Sequence, residues 1–166
     1  VQLVSPRSED PCEYVTVLAQ DGKEYSLTLA GAANLLGYVP EGDYAYGVSE
    51  SNIPAWDALG AYLGISGQEA ARQVMNLAMQ KLSVVVEELI SEYELDHNFI
   101  NLVGGGGSGA VIVNALAEKM NVRCQMAKNA PYISTIGVAL AMVREQIERT
   151  IANPTDEDIK RIRADV

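Results

Sequence analysis

The chain of 166 residues is poor in the groups from which most catalytic centres are built. It has one histidine, His97, and two widely separated cysteines, Cys12 and Cys124. No Cys-x-x-Cys pair, Ser-His-Asp arrangement or metal-ligand spacing is present, so the sequence names no catalytic residue and no metal ligand. Two distant cysteines exclude a disulfide framework and point to a reducing, cytoplasmic compartment. Aromatic residues make up only 6% of the chain, and 12 Lys and Arg against 22 Asp and Glu give a net charge of −10. Nucleic acid and anionic membrane both call for a positive field, so neither is an expected partner. No apolar run approaches the ~18–20 residues of a membrane-spanning helix. The opening "VQLVSPRSED" lacks the basic and apolar regions of a signal peptide. It begins with Val, which suits a processed chain or a piece of a longer one.

What is plentiful is aliphatic. At 48% hydrophobic and 20% charged, the composition is that of a globular domain. A chain of this length buries roughly 70% of its unfolded surface, enough for a core. Residues 13–30, "EYVTVLAQDGKEYSLTLA", read as a β-hairpin around Asp21-Gly22, a dipeptide suited to a type I′ turn. Val15, Val17 and Ala19 share one face of it, as do Tyr25, Leu27 and Leu29. Residues 30–52 read as a short helical turn and a long loop. A helix over 53–65 opens with Pro54 near its first position. The longest expected helix spans 66–95, with a capping box of Ser66 and Glu69. Its apolar residues (Val74, Leu77, Ala78, Leu82, Val85, Val86, Leu89, Tyr93) recur at three- and four-residue steps. Glu87, Glu88, Glu92 and Glu94 near its end suggest a solvated face, because the helix dipole disfavours acids there.

A β–Gly–α–β unit follows. "NFINLV" (98–103) reads as a strand buried on both faces, residues 108–120 as a helix and 122–126 as a second strand. Such a crossover implies parallel strands with a right-handed connection. Residues 129–151 read as a turn and a helix with Ile136, Ala139, Leu140, Val143, Ile147 and Ile151 on one stripe, and Thr155 with Asp158 caps a last helix. The fold class is α/β. The chain is expected to divide into a hairpin and loop region, 1–52, and an α/β lobe, 53–166.

"GGGGSG" (104–109) joins the first strand of this unit to its helix. Glycine is costly to order, and one reading is a turn where small residues let the elements pack. The position supplies another. Ligands of open α/β sheets bind beyond the C-terminal ends of the strands, and a helix N-terminus offers unpaired N–H groups. A P-loop is excluded, because "GGGGSGAV" contains no lysine. Gly104, Gly106 and Gly109 satisfy the dinucleotide pattern G-x-G-x-x-G. That pattern also wants an acid near the end of the second strand, and "CQMAKNAP" carries only Lys128.

"NLVGGGGSGAVIVNALAEKMNV", followed by "NAPYISTIGVALAMVREQIERTIANPTDEDIKRIR", resembles the C-terminal lobe of the hydantoinase/oxoprolinase family. "PAWDALGAYLGISGQEAARQVMNLA" resembles the helical segment before that family's glycine loop, so the resemblance covers residues 53–163. The family is similar to the ATPases that include actin, heat-shock chaperones and sugar kinases. The resemblance implies a ribonuclease H-like, actin-like ATPase lobe, a mixed sheet flanked by helices, with the hairpin as a subregion. Carried over, Gly104, Gly105, Gly106 and Gly107 form the loop that contacts adenosine, and Ser108 and Gly109 open its helix. Ser134, Thr135 and Gly137 begin a neighbouring helix. A mid-helix glycine costs about 1 kcal/mol against Ala, which close packing at Gly137 would explain. ATP with Mg2+ is the implied cofactor of the intact protein, and hydrolytic opening of a cyclic amide such as a hydantoin or 5-oxoproline the implied reaction. The family's Asp-x-Gly phosphate loop has no counterpart, since Asp21-Gly22 falls inside the hairpin pattern. The chain is therefore expected to be one lobe of a longer protein, catalytically incomplete alone, with the cyclic amide bound through the other lobe. A partner subunit or a homo-oligomer is left open. Two other readings stand beside it: an ATP-binding regulatory or chaperone-like module, and a dinucleotide-binding domain.

Of the remaining residues, His97 reads as a surface loop residue and Cys124 as a buried core residue. Cys12 lies in an acidic setting that opposes thiolate formation. Trp56, Tyr62, Tyr44 and Tyr46 either line a pocket or interface or cover the core.

Overall fold

The computed structural model describes residues 1–47, 49–141, 148, 150, 151 and 153–165. Three strands, β1 (Gln2–Val4), β2 (Tyr14–Leu18) and β3 (Glu24–Ser26), form an antiparallel sheet in that order. The expected hairpin is β2–β3, with Val17 opposite Tyr25 and Thr16 opposite Ser26. Its turn is not type I′, which needs positive φ at two central residues. Only Gly22 has it, at +80°, and Ala19 N–H donates to Lys23 O at 2.9 Å across the connection. Asp21 Oδ1 accepts from Lys23 N–H, so this Asp-Gly serves the turn.

Residues 29–92 form three helices, α1 (Leu29–Leu35), α2 (Ser49–Leu63) and α3 (Gly67–Glu92). Thr28 caps α1 by accepting from Gly31 N–H. Helix α2 begins four residues before the expected start, so Pro54 lies inside it, where the missing N–H leaves the Glu50 carbonyl without its helical donor. Ser66 caps α3 by accepting from Glu69 N–H at 3.1 Å. The other half of the expected capping box is not made: the Glu69 carboxylate accepts from Arg72 and Gln73 instead. The apolar stripe of α3 is only partly covered. Of its expected residues, Val74, Ala78, Leu82 and Val86 are half-buried against the core and Leu77, Val85, Leu89 and Tyr93 are exposed. The large buried side chains of the helix, Met75, Met79 and Ile90, lie outside the expected stripe.

The β–Gly–α–β unit comprises β4 (Asn101–Gly104), α4 (Gly109–Met120) and β5 (Arg123–Met126), after a 3-10 turn at His97–Phe99. The strands are parallel, with Asn101 opposite Arg123 and Gly104 opposite Met126. Asn121 closes α4 in the left-handed region at φ 53°, one of the two residue types suited to that role. Among the described residues the hairpin strands form an antiparallel sheet of their own, as a separate subregion, and the sheet of the α/β part is a purely parallel pair where a mixed sheet was expected. Among the described residues no third strand joins β4 and β5, so both are edges. That is why Val103 is 57% exposed and Cys124 lies at the surface, contrary to the expectation of buried strands.

The core is built from small and flexible residues. Ala32 and Ala33 of α1, Trp56 of α2, Ala70, Ala71 and Met75 of α3, and Val111 and Leu116 of α4 belong to one cluster. Trp56 is 1% exposed and is a core residue, whereas Tyr44, Tyr46 and Tyr62 are exposed. The Trp56 Nε1–H and the Thr16 hydroxyl are buried without a partner among the described residues.

The chain divides into two compact units, Val1–Ser134 and Thr135–Val166. The boundary expected between residues 52 and 53 falls inside the first unit, because α1 packs on α2, α3 and α4. Helix α5 (Ile133–Leu140) begins at the end of the first unit, and its Ile136, Val138 and Leu140 are exposed. The continuation of its stripe at Val143 and Ile147 lies outside the described residues. A Cβ at Gly137 would meet nothing within 4 Å, so the close packing expected there is absent among the described residues. In α6 (Asp156–Ala164) the expected capping box is complete: Asp158 N–H donates to Thr155 Oγ1 and Thr155 N–H to Asp158 Oδ2. The Thr155 hydroxyl also donates to Asp158 Oδ2, and this bond, together with the one from Thr155 N–H, holds the Asp158 carboxyl below its ordinary pKa. No helix of the described residues is long and apolar enough to cross a membrane.

Candidate functional site

The glycine run connects the C-terminal end of β4 to the start of α4. It is stitched to the segment that follows β5. Ala127 N–H donates to Gly104 O at 2.8 Å, and Gly106 N–H donates to Ala130 O at 2.7 Å. Both strand ends therefore meet at one place, the position at which open α/β folds bind ligands.

The glycines are there for different reasons. Gly104 is buried beneath the turn, and a Cβ on it would lie 2.5 Å from Met126 Sδ and 2.8 Å from Val113 Cγ1. Gly109 is similar, since its Cβ would lie 2.8 Å from Met126 Cε and 3.2 Å from the Gly104 carbonyl carbon. These two let strand, helix and Met126 pack. Gly106 has φ +80°, a conformation costly for other residues, and nothing lies within 4 Å of where its Cβ would be. Gly105 and Gly107 are lightly covered. A Cβ on Gly105 would lie 3.1 Å from Ile133 Cγ2, and one on Gly107 would lie 3.2 Å from the Tyr44 ring carbons Cδ1 and Cε1.

Ser108 occupies the cap position of α4, exposed, and its side chain makes no capping hydrogen bond. The N–H groups of Gly107 and Ser108 have no protein acceptor among the described residues. The structure thus brings Gly105, Gly106, Gly107 and Ser108 together on one turn that faces outward, with Gly104 packed under it. Such a turn offers bare backbone and two donors to a ligand.

One neighbour of this turn was not legible as such. Tyr44 lies in a loop after α1 that three side chains hold. Asn34 Nδ2 donates to Ala45 O at 2.9 Å, and Asn34 Oδ1 accepts from Gly47 N–H at 2.8 Å. Asp43 Oδ1 accepts from Ala45 N–H, and Asn114 Nδ2 of α4 donates to Tyr38 O at 2.8 Å. Apart from the local bond of Asp43, these bonds connect residues 11 to 76 positions apart, so no local pattern shows them. The Tyr38 phenol itself is held above its ordinary pKa by burial and by its hydrogen bond to Glu118.

Other concavities lie elsewhere. A groove of about 1000 Å3 between the hairpin, α1 and α2 is lined by Val17, Tyr25, Thr28, Asn34, Asn52 and Pro54 among others. A smaller one of about 430 Å3 at the N-terminal ends of β4 and β5 contains His97, Asn98 and Arg123. His97 Nε2 lies 3.1 Å from Glu87 Oε1, and both side chains are about half exposed, which is a surface pair. Among the described residues no group of three or more His, Cys, Asp or Glu is arranged to hold a metal ion.

A family model described as hydantoinase/oxoprolinase matches residues 8–147 of the chain. No curated protein and no solved structure gives a match.

Proposed function

We propose a nucleotide-binding role for this chain, which belongs to the hydantoinase/oxoprolinase family through its match over residues 8–147. Family membership supports a function related to cyclic amide hydrolysis. Within it, the chain acts as the adenosine-binding lobe of an actin-like ATPase that opens a hydantoin or 5-oxoproline ring. The observation that carries this reading is the outward turn of Gly105, Gly106, Gly107 and Ser108 at the ends of two parallel strands. Its backbone is open at Gly106, and the N–H groups of Gly107 and Ser108 are available to ligand oxygens.

These residues suit the nucleoside end of ATP and not its metal. The described residues hold no group of three or more His, Cys, Asp or Glu arranged to bind a metal ion, so Mg2+ and the transferred phosphate call for groups supplied elsewhere in the intact protein. The cyclic amide belongs to that same remainder. A dinucleotide is the second reading. One observation favours it: Gly109 packs closely against Gly104, as the last glycine of that fingerprint does.

Calorimetric titration of the chain with ATP, ADP and NAD separates the two. ATP or ADP is expected to bind in preference to NAD, and a preference for NAD refutes the adenosine reading. Gly106→Asn tests the turn itself. Asn tolerates the left-handed conformation better than other residues and places a side chain where the structure has open space. About tenfold weaker nucleotide binding with little change in melting temperature is expected. Unchanged binding would make the turn purely structural.

A further inference from the structure

We infer that Tyr44 is a ligand-contact residue of the glycine turn, a platform on which the flat heterocycle of a bound nucleotide stacks. This rests on the nucleotide reading of the turn and adds a residue from a distant part of the chain. Three observations carry it. The Tyr44 ring reaches to 3.2 Å from where a Cβ of Gly107 would be, so it packs against the turn's bare backbone. On the other flank of the turn in sequence, Ile133 covers Gly105, and Gly106 between them is open. Yet both covering side chains leave much of their surface in solvent: Tyr44 is 72% exposed and Ile133 41%.

A purely structural role fits this poorly. A ring that is mostly solvated contributes little to the core, and what sets Tyr44 apart from the other exposed tyrosines is its contact with the bare backbone of the turn. Its placement is nonetheless held by the chain. Asn34, Asp43 and Asn114 all fix the segment that carries it. Holding an aromatic ring in place before the ligand arrives lowers the ordering cost of binding. Aromatic stacking recognises the face of a base, which needs no hydrogen bond from the Tyr44 hydroxyl.

The test is calorimetry of the chain with ATP and with inorganic tripolyphosphate, for wild type, Tyr44→Ala and Tyr44→Phe. Tyr44→Ala is expected to weaken ATP binding about tenfold, the size of one base stack, and to leave tripolyphosphate binding unchanged. Tyr44→Phe is expected to keep ATP binding within about twofold, since the ring face remains. Equal ATP affinity in wild type and Tyr44→Ala would overturn the inference and leave the nucleotide reading standing. Equal weakening of ATP and tripolyphosphate would also overturn it, because the ring would then be shaping the turn. A wild-type chain that binds no nucleotide refutes the nucleotide reading and this inference with it. Circular dichroism of Tyr44→Ala is expected to match wild type, since the side chain is exposed.

Discussion

Adding one methyl group at Gly104 separates packing from ligand binding within the glycine run. The new carbon of Gly104→Ala would sit 2.8 Å from Val113 Cγ1 and 2.5 Å from Met126 Sδ. Comfortable separations are about 3.5–4.0 Å, so roughly 1 Å of movement is required on two sides. Met126 can bend, but its Cε already fills the space left by Gly109, and Val113 is a buried, stiff side chain of α4. Overpacking of this kind costs about 1–3 kcal/mol. For a chain of this size that lowers the melting temperature by roughly 3–10 °C. Gly105→Ala and Gly107→Ala are the controls. Neither glycine has positive φ, and Ile133 and Tyr44 are exposed neighbours that need yield only a few tenths of an ångström. Both controls are expected within about 0.5 kcal/mol of wild type. Trp56, the single tryptophan and fully buried, reports the unfolding of the first unit by fluorescence in a urea titration. A Gly104→Ala midpoint equal to wild type, or a larger loss in Gly107→Ala than in Gly104→Ala, would refute this division of roles.

Two further outcomes follow from buried polar groups. Trp56→Phe removes an indole N–H that has no described partner, so relief of that buried donor offsets lost packing and the net cost is expected within about 1 kcal/mol. A loss above about 3 kcal/mol, in a urea titration followed by circular dichroism because this variant has no tryptophan, would mean that the N–H is satisfied. Tyr38 has its pKa raised by burial and by Glu118, so its contribution to stability is complete below the unfolded value near 10 and is lost as pH rises through the folded value. Denaturant midpoints between about pH 9 and pH 11 should therefore fall more steeply in wild type than in Tyr38→Phe, and parallel curves would contradict the assignment.

Local chemistry was legible in the sequence wherever a few neighbouring residues decide the outcome. Ser66 and Thr155 cap their helices, Gly22 turns a hairpin, and "GGGGSG" joins a parallel strand to a helix. Hydrogen bonds that span three or four residues, and conformations open only to glycine, are written in adjacent letters. The family was legible too, in the glycine run and the segments around it. Burial was not. Val103 and Cys124 read as core residues but lie on edge strands, and Leu77 and Val85 are exposed although they share an apolar stripe with Val74, Ala78, Leu82 and Val86, which pack against the core. Periodicity states which residues share a face, and only the packing of other elements states whether that face is covered. Tertiary structure alone also sorted the glycines, placing Gly104 and Gly109 against Met126 and leaving Gly106 open. It alone brought Tyr44 to Gly107, because the contact depends on Asn34 and Asn114 holding a loop between two helices distant in sequence.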